Sequence, residues 1–542
     1  VSKLEEYQQI RDGFQADLPA QFNFARDVID RWAQSDPDLK ALHWVDDGGC
    51  EQIFTYAELA RRSCQVANLL AQHGILRGDV VLLMLGRQLA WWEVVSACLR
   101  AGIIVAPATT QLSAKDIAYR VEAASAVAII TEQSCADRVD AACDAVSSLK
   151  LKAVVDCDRS GWLSYDAARN AADEGFDAVD TSISEDALCY FTSGTTGYPK
   201  MVVHSQGYGL GHKVTGQYWL DLSKGDLHWN ISDTGWAKAA WSSYFGPFNQ
   251  GACLFIHHAS VFDPVRTLKL LEQHAIDTMC AAPTVYRMLV QQDLGQYSFA
   301  GLRHCVGAGE PLNPEVIATW HRATGVTIRD GYGQTESVIL CGSFPFIPAK
   351  AGSMGLPTPG VDLGIVDDKG NPLGDDTEGN LAVRIKPVRP LGLFDHYRGD
   401  ENANAASFVG DWYLTGDRAT RDADGYYWFV GRADDVIISA GYRIGPFEVE
   451  SALVEHPAVA EAAVVSSPDP VRGEVVKAFI ILAPGHIGDD ALVSQLQNHV
   501  KAVTAPYKYP RAIEFVNALP KTVSGKIRRV ELRDAEWAAV GS

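Results

Sequence analysis

Ala187-Leu188-Cys189-Tyr190-Phe191-Thr192-Ser193-Gly194-Thr195-Thr196-Gly197-Tyr198-Pro199-Lys200 carries an apolar run straight into a turn of hydroxyls, glycines and one lysine. The apolar part reads as a buried strand. In the turn, Gly194 and Gly197 let the backbone approach an anion with its N–H groups inward, while Ser193, Thr195, Thr196 and Lys200 add hydroxyl donors and a charge. A strand that feeds such a turn is a place to hold phosphate. It is not the Walker form, which needs four residues between its glycines and a Lys-Ser/Thr pair after the second; here two residues separate the glycines and Met201 follows Lys200. An ordinary surface loop competes with the phosphate reading, so the rest of the chain must decide.

Working outward, Ile53 to Ile130 alternates helical stretches with short apolar strands. Thr55 with Glu58 three residues on marks a helix start running to Gln72, and Val80 to Met84 and Ile103 to Val105 read as strands. The rhythm continues through Val154-Val155, Ala187 to Phe191, Cys253 to Ile256 and His304 to Val306, each strand leading through a loop to a helix-like segment. That predicts an α/β fold of stacked sheets and helices. Beyond Pro345 the texture turns strand-rich, with Val361 to Val366, an Asp367 to Pro372 turn and Asn380 to Ile385. After Gly431 a compact α+β tail is expected: strand Val436 to Ile438, a helix opened by Pro446 and ended before Pro457, then strands Ala462 to Val465 and Val475 to Ile481. We therefore expect a large multi-subdomain region over 1–432, its strand-rich part at about 345–431, and a C-terminal domain over 433–542.

With 542 residues, 47% of them hydrophobic, the chain can bury several cores. A formal net charge of −20 repels nucleic acid and anionic membrane surfaces, so any bound anion is held by local donors. No apolar run approaches the ~20 residues that span a bilayer, and Val1 to Glu6 lacks the pattern of a signal peptide. Eleven cysteines scattered between Cys50 and Cys341 without a C-x-x-C pair read as reduced thiols in a cytoplasm-like compartment, or the mitochondrial matrix for a processed eukaryotic chain. The 14 histidines show no H-E-x-x-H or related ligand spacing, so no structural metal is expected.

Four further segments carry chemistry. Asp330-Gly331-Tyr332-Gly333-Gln334-Thr335-Glu336 puts a ring for stacking, a hydroxyl for phosphate and a carboxylate for Mg²⁺ on one short turn. Tyr413 to Asp417 ends a strand with a carboxylate able to accept both hydroxyls of a ribose, although an Asp after Gly is commonly a turn residue. Gly431-Arg432-Ala433-Asp434-Asp435 and the basic loop Pro520 to Arg529 follow; a solvated turn and a solvated face are their bland alternatives.

Taken in order and spacing, Thr192 to Lys200, Gly331 to Glu336, Tyr413 to Asp417, Gly431 to Asp435 and Ser524-Gly525-Lys526 resemble the adenylate-forming superfamily of acyl-CoA synthetases, luciferases and adenylation domains. The likeness covers essentially the whole chain, including Phe22 to Asp27, and looks closest to the medium-chain acyl-CoA synthetase branch. It implies ATP, Mg²⁺ and coenzyme A as cofactors, a carboxylic acid as substrate, and a mobile C-terminal domain. A carboxylate would attack the α-phosphate of Mg·ATP to give acyl-adenylate and pyrophosphate, and the CoA thiol would then release AMP. By the family's pattern Lys526 bridges carboxylate and α-phosphate, Thr335 binds the α-phosphate and Glu336 holds Mg²⁺. Gly309-Glu310-Pro311 and Tyr332 would line the adenine site, Asp417 and Arg432 would bind ribose, and Thr192, Ser193 and the residues to Lys200 would clamp the outer phosphates. Asp434 matches the hinge. Ala440, Gly441, Tyr442, Arg443, Arg472 and Arg511 are the candidates for CoA.

For the acyl group, acetate- and propionate-specific relatives place a tryptophan where this chain has Gly333. The resemblance thus implies room for a medium-chain or branched acid, with Trp236, Trp241, Tyr244 and Val338 as candidate walls. No basic residue on these segments pairs with a second carboxylate, which disfavours a dicarboxylic acid. An aryl-acid ligase, an adenylation enzyme loading a carrier protein in trans, a luciferase-like oxygenase and a nucleotide-binding pseudoenzyme remain as alternatives; intact Lys526, Glu336 and Arg432 argue against the last. The oligomeric state stays open.

Overall fold

The computed structural model describes the chain except residues 1, 17, 144, 145, 147, 193–198, 260, 440, 441, 470, 471, 523–525, 541 and 542. Two large, mostly parallel sheets form its centre. One has eight strands, in the order Tyr397–Arg398, Lys200–Ser205, Asp186–Thr192, Ile104–Pro107, Val80–Met84, Ala126–Glu132, Leu151–Val155 and Leu163–Ser164. The other has nine, in the order Leu356–Pro357, Cys341–Gly342, Ile328–Tyr332, His304–Ala308, Thr278–Ala281, Leu227–Ile231, Cys253–His258, Lys40–Asp46 and Glu51–Thr55.

Side-chain alternation along the strands explains the layering. Along Val80–Met84, Val81 and Leu83 face one core while Val80, Leu82 and Met84 face another. The first of these cores also takes Leu42, Leu254 and Val306 from the nine-stranded sheet, so helices Tyr56–Gln72 and Leu89–Ala101 lie sandwiched between the sheets. Outer helices cover the remaining faces: Ala114–Ala124 and Gln133–Cys143 on one sheet, Pro264–Gln273, Pro283–Val290 and Pro314–Thr324 on the other. The helix expected from Thr55 begins there with both arms of its capping box made, Thr55 Oγ1 accepting from Glu58 N and Glu58 Oε2 from Thr55 N.

Two smaller sheets follow. The strand-rich stretch forms a five-stranded sheet built on Leu363–Val366, Gly379–Arg384, Trp412–Arg421, Phe408–Val409 and Tyr427–Arg432. The tail forms another from Ile437–Ser439, Tyr442–Ile444, Val459–Asp469, Gly473–Leu482 and Ala512–Phe515, backed by helices Pro446–Val454 and Asp490–Val503 around their own core. Two local expectations differ. Asp417 sits inside the strand Trp412–Arg421, not at its end, because Gly416 takes φ +74° and a bulge at Arg418/Ala419 bends the strand without ending it. The strand after Ala187 returns as an antiparallel hairpin, with Thr192 opposite Lys200, before any helix begins.

Candidate active site

The parallel strands His304–Ala308 and Ile328–Tyr332 end side by side, where open α/β sheets place their ligands. Beyond the first, Gly309 takes φ +112°, a conformation L side chains rarely adopt, and turns the chain into Glu310 and Pro311. Glu310 Oε1 accepts from Arg287 Nη2 at 2.7 Å and Thr284 Oγ1 at 2.9 Å. Burial pushes its carboxyl up, but Arg287, Thr284 and Lys526 outweigh that and hold it below the usual range. Asp330, buried beneath this turn, takes N–H donors from Leu312 at 3.4 Å and Gly331 at 3.1 Å; burial lifts it to about 7.

The two motif segments around Tyr332 and Asp417 interlock. Tyr332 Oη donates to Asp417 Oδ2 at 2.5 Å, and Gln334 Nε2 donates to the same oxygen at 2.8 Å and to Thr415 O at 2.9 Å. Tyr413 Oη closes the set on Gln334 Oε1 at 3.2 Å. Asp417 Oδ1 is buried without a hydrogen bond, though Arg432 Nε lies 3.4 Å away as its ion-pair partner. An acceptor oxygen left this way suits a hydroxyl ligand. Burial raises the Asp417 pKa, which Arg432, Tyr332 and Gln334 oppose; Asp417 in turn raises that of Arg432.

Glu336 is buried, with Oε1 accepting from Tyr397 Oη at 2.7 Å, and burial pushes its carboxyl up. Lys200 Nζ lies 4.8 Å above the Tyr397 ring. Thus the hairpin after Thr192 sets its lysine against the same tyrosine that bonds Glu336, while Ser193, Gly194, Thr195, Thr196 and Gly197 lie outside the described residues. Thr335, next to Glu336, is half-buried and its carbonyl accepts from His204 Nε2 at 2.6 Å. A desolvated carboxylate held by a tyrosine hydroxyl is a hard-oxygen donor that fits Mg²⁺, whose charge would offset the cost of burying the carboxylate.

Lys526 arrives from the tail. A β-carbon on Gly309 would lie 3.9 Å from its Cε and 4.0 Å from its Nζ. Solvent still reaches the side chain, yet protein surrounds it as in a cleft, and this burial lowers its pKa; Glu310 and Asp417 oppose the shift and Arg432 adds to it. Sequence reasoning overlooked a second lysine. Lys238 Nζ donates to Ala308 O at 2.9 Å, and burial lowers its pKa, with Cys280, Asp330 and Glu310 opposing and Lys526 adding. The signal was a lone charge in the apolar run Trp236-Ala237-Lys238-Ala239-Ala240-Trp241.

The candidate acyl walls separate on inspection. The space a side chain on Gly333 would take is filled: a β-carbon there would meet Trp241 Cη2 at 2.4 Å and Val338 O at 2.6 Å. Gly333 makes room for the indole of Trp241, so the opening expected beside it is already occupied. Trp241 is buried and donates to Tyr208 Oη at 3.0 Å; Trp236 is half-buried and precedes the turn Ala237–Ala240. Val338 is buried and points at Gly392. Tyr244 corrects the expectation, since its hydroxyl meets Ser96 Oγ at 2.7 Å and its ring packs on Phe24, Trp91 and Phe248 in the inter-sheet core.

Of the CoA candidates, Tyr442 is exposed and stacks on Tyr507 at 4.3 Å, and Arg443 is paired with Glu378 at 3.6 Å. Arg472 and Arg511 are exposed, the latter donating to Tyr509 Oη at 2.9 Å; Ala440 and Gly441 lie outside the described residues. Near Asp434, Ala433 N still donates to Gly416 O at 2.9 Å, and Arg533 Nη1 donates to Asp434 O at 2.6 Å.

The profile of the AMP-binding enzyme family matches residues 29–388, and that of the AMP-binding enzyme C-terminal domain matches residues 448–526. The chain belongs to the AMP-binding enzyme family. It is 48% identical over 547 residues to the human protein called acyl-coenzyme A synthetase ACSM3, mitochondrial, with 99% of this chain and 93% of the human one covered. An anthranilate CoA ligase, AuaEII, solved in complex with anthranoyl-AMP, superposes with a TM-score of 0.90 at 29% identity, covering 98% of this chain and all of its own. An acyl-CoA synthetase from Brucella canis does so with a TM-score of 0.76 at 33% identity, covering 98% and 99%. No helix among the described residues is long and apolar enough to cross a membrane.

Proposed function

We propose that this chain is an AMP-forming acyl-CoA synthetase acting on a medium-chain or branched carboxylic acid. One observation carries the reading: the tail lysine Lys526 stands against Gly309, within electrostatic reach of Glu310 and of the Asp417–Arg432 pair. In the first half-reaction a carboxylate approaches a phosphate, so cations and N–H donors must stand where negative charge collects. Lys526 and Thr335 supply them at the α-phosphate, Lys200 at the outer phosphates. Asp417 accepts from the ribose, and Tyr332 with Gly309, Glu310 and Pro311 borders the base. Glu336 would hold Mg²⁺, which would supply positive charge against the leaving pyrophosphate.

In the second half-reaction the thiol of coenzyme A attacks the adenylate carbonyl, the carbonyl carbon–phosphate oxygen bond breaks, and AMP leaves. A lysine seated in the crevice obstructs that approach. The tail over 433–542 therefore swings about Asp434, which lies between two backbone ties to the strand-rich sheet, Ala433 N to Gly416 O and Asp435 N to Arg432 O. Arg443 would give up Glu378 in this motion and, with Tyr442, Arg472 and Arg511, become available to CoA. The reading places the enzyme in the mitochondrial matrix or a comparable reducing compartment, in line with the name of the human relative.

The likeness to an anthranilate ligase favours one second reading, an aryl acid as substrate. A panel of straight, branched and aryl acids assayed for AMP release separates the two. Release of AMP that depends on both acid and CoA is expected; ADP as product overturns the mechanism, and preference for aryl acids selects the second reading.

A further inference from the structure

At the far edge of the nine-stranded sheet, away from the crevice, two imidazoles and a carboxylate converge. His43 lies on Lys40–Asp46, Glu51 opens the edge strand Glu51–Thr55, and His274 caps the C-terminus of helix Pro264–Gln273. The antiparallel register sets Val45 opposite Glu51, and residues two apart share a face, so His43 and Glu51 project on the same side of the hairpin. That side is the one helix Pro264–Gln273 covers, since Val45, Leu268 and Leu271 share a core. One donor atom from each of His43, Glu51 and His274 lies within 4.8 Å of the other two.

The imidazoles are held in place. The His43 and His274 rings meet edge to face at 5.2 Å, and both pack on Phe255, at 5.4 and 4.7 Å. Each is half-buried, while Glu51 is exposed and leaves the cluster open to water. His43 Nε2 already contacts Glu51 Oε1. A His–Glu pair alone needs no third partner; His274, brought from more than two hundred residues away, turns the pair into a donor set.

We propose that His43, Glu51 and His274 bind one zinc ion. Two imidazole nitrogens and a carboxylate oxygen, with water in the fourth position, form a donor set that zinc takes at about 2.0–2.2 Å per bond. Tetrahedral donors at that radius stand about 3.3 Å apart. His43 and Glu51 are already in contact, and with every donor within 4.8 Å of the others the remaining closure falls to rotation of the His274 and Glu51 side chains. Nitrogen donors select against Mg²⁺ and Ca²⁺, which take oxygen. The ion ties the edge hairpin to the end of a helix, so its binding stabilises the folded chain in step with occupancy. The site is separate from the acid-activating crevice: in the sheet order, seven strands span from Ile328–Tyr332 to Glu51–Thr55 counted inclusively.

The test is calorimetric titration of the metal-stripped full chain with zinc chloride, for the wild type, Glu51→Gln and the His43→Ala/His274→Ala double variant, with Tm measured with and without zinc. The wild type should bind one zinc per chain and gain Tm from it. Losing a direct ligand should weaken binding by more than the roughly 10–100-fold typical of an outer partner, and abolish the Tm gain. Acid-dependent AMP release without zinc should be unchanged in Glu51→Gln. No binding to the wild type, or equal affinity in the variants, overturns the site. If the double variant does not fold, Glu51→Gln decides, since an exposed isosteric change leaves the fold intact.

Discussion

Lys526 and Gly309 stand against each other across the junction of the tail and the nine-stranded sheet, the lysine's Cε 3.9 Å from where a β-carbon on Gly309 would sit. A residue with a side chain at 309 would be strained at φ +112°, although its β-carbon would make only ordinary van der Waals contact with the lysine. The turn that carries Glu310 thus depends on a glycine at the position that faces the tail's cation.

Lys526→Ala removes that preorganised cation. Adenylate formation should fall by roughly 10²–10⁴, several kcal/mol of transition-state stabilisation. Thioester formation from supplied acyl-adenylate should fall far less, because in the proposed function the lysine would be withdrawn during that step. Single-turnover measurements of the two halves separate the effects, and equal losses contradict the role.

Trp241 fills the space beside Gly333, so under the proposed function the indole, more than the glycine, would border the acyl chain. Trp241→Leu should shift preference toward longer acids, by about tenfold in the ratio of kcat/KM for a longer against a shorter acid. Tm checks that the variant is folded, since its buried indole is lost. An unchanged chain-length profile removes Trp241 from the pocket wall.

Asp330 bears on stability through pH. Burial raises its folded pKa to about 7, above the ordinary carboxyl value of 3.8. The folded state therefore holds this proton more tightly than the unfolded one, and its contribution is complete below about pH 3.8 and lost as pH rises through about 7. Full ionisation costs on the order of 4 kcal/mol. For the ligand-free chain, the fall in Tm between pH 5 and 8 should be shallower in Asp330→Asn than in the wild type. Parallel pH profiles would falsify the assignment.

Much of this was legible in one dimension. Val80 to Met84, the Thr55 start and the Pro446 helix are local patterns of periodicity and capping, and each forms where its residues predict. Asp417 was recognisable as a candidate site residue but not as mid-strand, because a glycine at positive φ and a bulge keep a strand running through what looks like a turn. Tyr244 looked like a pocket wall because an aromatic reads alike in a core and in a cavity; only its contacts with Phe24, Trp91 and Ser96 decide.

By itself, then, the order of the short motifs determined the family, since glycines, hydroxyls and carboxylates at those spacings reflect chemistry that each segment performs locally. The tertiary structure decided what depends on distance between segments. It set Trp241 into the hollow of Gly333, brought Lys238 and Lys526 to the same strand end, and gathered His43, Glu51 and His274 at a sheet edge. Those relations are absent from the sequence because packing, not spacing along the chain, determines which side chains share a few ångströms of space.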